Sequence, residues 1–251
     1  MLAAKICVVT GATSGIGAAT AVELAARGAC VVLVGRNTQR GRSVTADIEA
    51  RGGRAFFIEA DLADRTAPDR IVEGSLRHFG RIDVLVNNAG MLINGTAEET
   101  SDADWDRIMD VNLASAMRMS RAVIHPMREA RKGSIINVAS DWALMGARGA
   151  LAYCVSKAAL AQLTRCMALD HAADGIRVNA VCPGDTDTPM LDQAFEGDGR
   201  DWKLEKLAAT IPMGRVARVD EVAKVIAFLA SDDASFMTGA LVPIDGGTSA
   251  Q

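Results

Sequence analysis

Ile6-Cys-Val-Val-Thr10 runs directly into Gly11-Ala-Thr-Ser14-Gly15-Ile16-Gly17. A short, β-branched, continuously apolar run reads as a strand covered on both faces. The glycines that follow let the backbone turn sharply and come close to a ligand. A helix starting near Gly15 would aim its unpaired N–H groups and the positive end of its dipole at whatever sits over the turn, which suits a phosphate. The spacing is G-x-x-x-G-x-G, not the G-x-G-x-x-G of the common dinucleotide fingerprint. A tight turn with no ligand also takes glycine, so the loop has to be weighed with the rest of the chain.

The rest of the chain repeats the same unit. Further strands are expected at Cys30–Val34, Arg54–Glu59, Val84–Asn87, Gly133–Val138, Arg177–Val181 and Ala240–Ile244, with the first at Lys5–Thr10. Helices are expected at Gly15–Arg27, Thr38–Arg51, Asp102–Met127, Ala152–Ala173 and Val219–Ala230. This alternation implies right-handed βαβ crossovers and an α/β fold: a Rossmann-type, doubly wound parallel sheet in a three-layer α/β/α arrangement. At 251 residues, with no linker, repeat or shift of composition, the expectation is a single domain over 1–251.

Composition removes other classes. With 49% hydrophobic residues and 27 Lys+Arg against 31 Asp+Glu, net −4, the chain is neither disordered nor a basic nucleic-acid binder. No apolar stretch reaches the ~18 residues of a membrane span, and the N-terminus shows no secretory pattern. Cys7, Cys30, Cys154, Cys166 and Cys182 are odd in number and scattered, which reads as reduced, buried thiols in a cytoplasmic protein. His78, His125 and His171 are isolated, so no metal site is expected.

The end of the second strand bears on which dinucleotide binds. An Asp or Glu there would hold a ribose 2′-hydroxyl, but the chain reads Gly35-Arg36-Asn37, with no carboxylate before Asp47. The planar fork of Arg36 suits a 2′-phosphate, which favours NADP(H) over NAD(H); the plain alternative is a solvated arginine. Asp61, followed by Leu62, stands at the end of the third strand, placed either to accept from an adenine or to cap the next helix. Asn88-Ala89-Gly90 follows the fourth strand as a compact turn. In open α/β sheets ligands bind beyond the carboxyl ends of strands, where all of these residues fall.

Tyr153 is the only tyrosine, and Lys157 follows it by four residues, on the same helical face. A neighbouring ammonium favours phenolate and lowers a pKa that starts near 10, which suits proton exchange with an alcohol or carbonyl. Ser140 ends a strand 13 residues upstream, where it can hydrogen-bond a substrate oxygen. Asn112 sits inside a helical pattern, where Asn is a mediocre helix former; a polar residue on a partly exposed face, or one satisfied by the backbone, would look the same.

Taken in order, the Gly11–Gly17 loop, Asp61, Asn87–Gly90, Asn112, Ser140, Tyr153-x-x-x-Lys157, Pro183-Gly184, Thr188-Pro189 and Asp245-Gly-Gly247 make the whole chain resemble the short-chain dehydrogenase/reductase family. The resemblance implies a nicotinamide cofactor, with Tyr153 as general acid/base and Ser140 holding the substrate oxygen. It implies that Lys157 binds the nicotinamide ribose and biases Tyr153 towards phenolate, and that Asn112 holds a water linking Lys157 to solvent. It also implies cofactor contacts by Gly11, Ser14, Gly15, Ile16, Gly17, Asn37, Leu62, Pro183, Gly184, Thr186 and Thr188, and a homotetramer paired through the two long helices. The chain departs from the family pattern in two places. Ser14 stands where NADP-preferring members often carry a basic residue, and Thr186 where an apolar one is usual.

Substrate contacts are expected from Ser140, Tyr153 and Trp142, although Trp142 would also serve packed beneath a loop. The segment 185–212, with Phe195-Glu-Gly-Asp-Gly199 and Trp202, reads as a lid. The expected substrate is a small secondary alcohol or ketone. The alternatives are NAD-dependent oxidation of a cyclic alcohol or diol, and reduction of a 3-oxoacyl group on an acidic carrier protein docked at Arg128, Arg131 and Lys132.

Overall fold

The computed structural model describes residues 2–194 and 199–250. Seven strands form one parallel sheet: β1 (Ile6–Thr10), β2 (Cys30–Gly35), β3 (Arg54–Glu59), β4 (Val84–Asn87), β5 (Gly133–Val138), β6 (Ile176–Pro183) and β7 (Leu241–Ile244). Their order is β3-β2-β1-β4-β5-β6-β7, so the chain winds outward from β1 in one direction and from β4 in the other. All seven expected strands are present. β6 differs most, running on to Pro183 through a fully apolar end.

Both faces of the sheet are covered at its centre, which is why β1 and β2 are buried along their whole length. Cys7 and Val9 of β1 point into one core, with Leu24 of α1 (Gly15–Ala26), Ile48 of α2 (Thr38–Ala50) and Ile226 of the C-terminal helix Val219–Ala230. Val8, between them in sequence, points into the other core. Its companions there are Ile71 of α3 (Ala67–Phe79), Met119 and Val123 from the segment after β4, and Met167 from the segment before β6. The period-two alternation therefore sorts apolar residues between two cores rather than between core and water. α3 is absent from the helices expected from sequence, although Pro68 near its start and left-handed Gly80 after its end mark it clearly.

The long helix expected at Asp102–Met127 is three pieces. α4 (Asp102–Met109) leads into a π turn, Asp110–Ala114, and then into α5 (Ser115–Glu129). A π turn inserts one residue into the helical ladder, and here it carries Asn112 inward, where it is 1% exposed. Beyond β5 lies α6 (Leu151–His171), then after β6 α7 (Pro189–Ala194), α8 (Arg200–Ala208) and α9 (Val219–Ala230). None of the helices is long and apolar enough to cross a membrane, among the described residues. The thiols are free, but only Cys7, Cys30 and Cys182 are buried. Cys166 is exposed on α6 and Cys154 half-buried, which corrects the expectation for those two.

A buried polar chain ties the two central strands to the helices over them. Asn87 Nδ2 donates to Asn137 Oδ1 at 2.9 Å and to Ser120 Oγ at 3.0 Å, and Asn137 Nδ2 donates to Thr164 Oγ1 at 2.9 Å. Asn137→Leu keeps the volume and removes two of these bonds, leaving part of Asn87 without a partner. We expect it to cost about 1–3 kcal/mol in urea unfolding, whereas Arg36→Ala, at an exposed site, should stay within about 0.5 kcal/mol of wild type.

Candidate active site

The site lies at the carboxyl edge of the sheet, where β1 and β4 are neighbours and the chain leaves them towards opposite faces. Thr10 and Asn88 stitch this point together. The Thr10 hydroxyl donates to the Val86 carbonyl and accepts from the Asn88 and Ala89 N–H groups at 3.0 and 3.1 Å. Asn88 Nδ2 donates back to the carbonyls of Thr10 and Gly11 at 2.9 and 3.2 Å. Gly11 has φ +63°, and a Cβ on it would stand 2.9 Å from Ala89 Cα; one on Gly17 would stand 2.3 Å from the Gly11 oxygen. Glycine is thus required by close packing at Gly17 and by backbone conformation at Gly11.

Ser14, at the N-cap of α1, makes no side-chain cap bond, so the helix N-terminus faces the cleft through its backbone alone. A Cβ on Gly15 would meet Thr188 at 3.3 Å, which brings the loop after β6 against the first loop. Ile16, Asn88, Gly90, Pro183, Gly184, Thr186 and Thr188 line one cavity of about 870 Å³. These residues would hold a dinucleotide, and the unpaired N–H groups at the start of α1 would suit its pyrophosphate.

The residues expected at the adenosine end are not all free to bind there. Arg36 and Asp61 are exposed and 3.8 Å apart, at the ends of β2 and β3. Asp61 Oδ1 also accepts from the Ala63 N–H at 3.0 Å, so its turn-capping role is real. Asn37 caps α2, accepting from Arg40 N at 2.9 Å. The Leu62 side chain is core, and its carbonyl accepts from the buried Arg118.

The chemical residues converge on the opposite wall of the cavity. Tyr153 and Lys157 come from α6, Ser140 from the end of β5, and Trp142 from the turn after it. Trp142 packs edge-on to the Tyr153 ring, with centroids 5.7 Å apart, and lines the cavity rather than lying beneath a loop. Lys157 is 4% exposed; its Nζ donates to the Val138 carbonyl at 2.8 Å and lies 5.6 Å from the Tyr153 ring centroid. A Cβ on Gly90 would touch both Lys157 Nζ and Asn112 Oδ1, at 3.5 and 3.4 Å, so these groups share one small space.

Asn112 is committed to the backbone. Its Oδ1 accepts from Met91 N at 2.8 Å, and its Nδ2 donates to Met91 O at 2.9 Å and to Ser156 Oγ at 3.1 Å. Ser156 in turn donates to the Tyr153 carbonyl at 2.7 Å. The side chain therefore clamps the segment after Gly90 to the start of α6, and a bound water would have to use another group of this residue. Sequence reasoning missed Ser156, although it lies between Tyr153 and Lys157.

The electrostatics correct one expectation. Burial pushes the Tyr153 phenol up, reinforced by the carboxylates of Asp141 and Asp185, while a hydrogen bond with Ser140 pulls it down. The i,i+4 argument treated the Tyr–Lys pair as if solvated, and removal of water outweighs it here. Burial also lowers Lys157, to about 8, so it stays cationic at neutral pH. Asp141 and Asp185 were not singled out as site residues. Their position, at the carboxyl ends of strands directly after Ser140 and Gly184, is the signal that would have found them.

Part of the segment expected to form a lid lies against the cavity. Met190 and Leu191 of α7 and Leu207 of α8 line the cavity, while Phe195 and the rest of 195–198 lie outside the described residues. Arg200 pairs with Asp187 across the base of this segment.

Lys157 yields a stability prediction. Its pKa is lower folded than unfolded, so between about 8 and 10.5 the unfolded chain binds the extra proton, and stability contributed by this group rises with pH. The difference in urea-unfolding free energy between wild type and Lys157→Met should therefore shift in favour of wild type over that range, by about 1–3 kcal/mol. A pH-independent difference would contradict a buried, strained ammonium.

Comparison with known proteins follows this geometry. The family model described as enoyl-(acyl carrier protein) reductase matches residues 11–249. Meso-2,3-butanediol dehydrogenase of Serratia marcescens is 42% identical over 98% of this chain and 95% of its own length. Cyclopentanol dehydrogenase of Comamonas testosteroni is 40% identical over 98% of this chain and 97% of its own. The ligand-free structure of aldohexose dehydrogenase from Thermoplasma acidophilum superposes with a TM-score of 0.91 at 35% identity, over 100% of this chain and 96% of that one. With the parallel sheet and the cavity over its switch point, these matches show that the chain belongs to the short-chain dehydrogenase/reductase family, an oxidoreductase acting on CH–OH groups.

Proposed function

We propose that the protein transfers a hydride between NADP(H) and a small secondary alcohol or its ketone, with Tyr153 exchanging the proton. The observation that carries this reading is the convergence of Ser140, Tyr153 and Lys157 on the cavity that Ile16, Asn88, Gly90, Gly184 and Thr188 also line. The bound nicotinamide supplies the hydride for reduction and takes it up in oxidation.

In the reductive direction the carbonyl oxygen sits between Ser140 and Tyr153. The raised phenol is a proton donor at neutral pH; as hydride reaches the carbonyl carbon, the Tyr153 O–H bond breaks and its proton passes to the oxygen. Lys157, cationic below about 8, then steadies the phenolate until a proton returns from solvent. Trp142, Met190 and Leu191 provide apolar walls that suit a small hydrocarbon frame.

NADP(H) is favoured because β2 ends in Gly35-Arg36-Asn37, with no carboxylate to meet a 2′-hydroxyl. The NAD(H) reading, with a cyclic alcohol or diol, is supported by the pairing of Arg36 with Asp61 and by the names of the relatives. Docking of an acidic carrier has weaker support, since Arg128 already faces Asp174 and Lys132 faces Asp232. Assembly into a homotetramer draws support from the half-exposed apolar residues Met117 on α5 and Leu151 and Val155 on α6.

Tyr153→Phe should lower kcat/KM for cyclopentanol or meso-2,3-butanediol by about 10²–10⁴-fold while leaving cofactor affinity within about twofold. Retained turnover would refute the role given to Tyr153. Arg36→Asp should reverse the ratio of kcat/KM for NADP over NAD; an unchanged ratio would mean that Arg36 does not meet a 2′-phosphate.

A further inference from the structure

The residue after Ser140 is a buried carboxylate. Ser140 Oγ lies 2.9 Å from Asp141 Oδ1, and the Trp142 N–H points at the same oxygen from 2.8 Å and at Ser140 Oγ from 3.2 Å. Asp141 is 5% exposed and lines the cavity beside Tyr153, with its second oxygen against Gly184. An ionised carboxylate can only accept. While Asp141 is ionised, the 2.9 Å contact is therefore a bond only when the Ser140 hydroxyl turns its proton towards Asp141.

We infer that Asp141 is the positioning residue for the Ser140 hydroxyl: by claiming the serine proton it decides whether Ser140 meets the substrate oxygen as an acceptor or as a donor. The inference rests on the reading of Ser140 as the group that holds that oxygen. While Asp141 is ionised, Ser140 offers the cavity a lone pair, which accepts from a substrate alcohol and gives a ketone nothing. Once Asp141 is protonated it donates to Ser140 Oγ, and the serine proton is released to a carbonyl oxygen. One proton on Asp141 thus reverses the polarity of its neighbour, with no movement of backbone.

The surroundings place this switch in an accessible pH range. Asp141 faces Cys182 in β6, Asp185 beyond it, Asp245 beyond β7, and Tyr153 and Cys154 on α6; Lys157, on the same helix, is bonded to the Val138 carbonyl. Burial and the two nearby carboxylates bring Asp141 up to about 6. Asp185 is raised by burial in the same direction.

The test uses the whole enzyme with saturating reduced cofactor and cyclopentanone or acetoin as the ketone, between pH 5 and 7.5. Wild-type kcat/KM should fall about tenfold across that range, following loss of one proton. Asp141→Asn, which keeps shape and cannot ionise, should give a flat profile. Asp141→Ala should also be flat and should exceed wild type at pH 7.5, because its serine proton is free. The backbone amide resonance of Trp142 in ¹⁵N-labelled protein supplies a readout independent of turnover. It should titrate with a midpoint near 6 in wild type and stay still in Asp141→Asn. A wild-type profile without the limb, the same limb in Asp141→Asn, or a Trp142 amide that does not titrate overturns the inference. Turnover of neither ketone by wild type overturns the proposed function, and this inference with it, whereas active enzyme with a flat profile overturns the inference alone.

Discussion

The carboxyl ends of β1 and β4 are held together by one hydroxyl and one carboxamide, and the site depends on that join. Thr10 and Asn88 exchange hydrogen bonds of 2.9 and 3.0 Å across the point where the chain leaves for opposite faces of the sheet. α1 departs into one core and α5 lies over the other, so the edge between them cannot be closed by either. The divergence makes the cleft, and the stitch keeps its floor narrow enough for Gly11, Ala89 and Gly17 to touch. A Cβ at Gly11 or Gly17 would fill that space, which makes the glycines a consequence of the join as much as of any ligand.

Opposite this floor, dryness governs the chemistry. Burial drives both members of the Tyr153–Lys157 pair towards neutrality, raising the phenol and lowering the ammonium. The protein therefore holds a reluctant acid beside a cation that gives up its proton near pH 8, and Lys157 is kept in place by the Val138 carbonyl rather than by a carboxylate. Asp141 and Asp185 add negative charge to the same wall. A group that stabilises phenolate has more to offer in this setting than it would in water, because the local dielectric is low.

The strands were legible because a sheet covered on both faces leaves no polar alternation to interpret, and all seven appear where runs such as Val31-Val-Leu-Val34 predict them. Apart from Asn112, each motif falls beyond the carboxyl end of a strand or on α6. The break at Asn112 was not legible. It depends on a clamp to Met91, 21 residues away, and helix propensity carries no information about such a contact. The direction of the Tyr153 shift needed the depth of the cavity, which spacing alone does not supply. Asp141 could have been noticed, since a carboxylate immediately after a functional serine at a strand end is unusual company for it.

The central claim is that the cleft over Thr10 and Asn88 holds a nicotinamide dinucleotide with its reactive end at Tyr153 and Lys157. Titration of the purified protein with NADPH and with NADH, following nicotinamide fluorescence, tests it most directly. The account predicts saturable enhancement with both, tighter for NADPH, because Arg36 and not a carboxylate stands at the end of β2. Saturation by neither would contradict the account at its foundation.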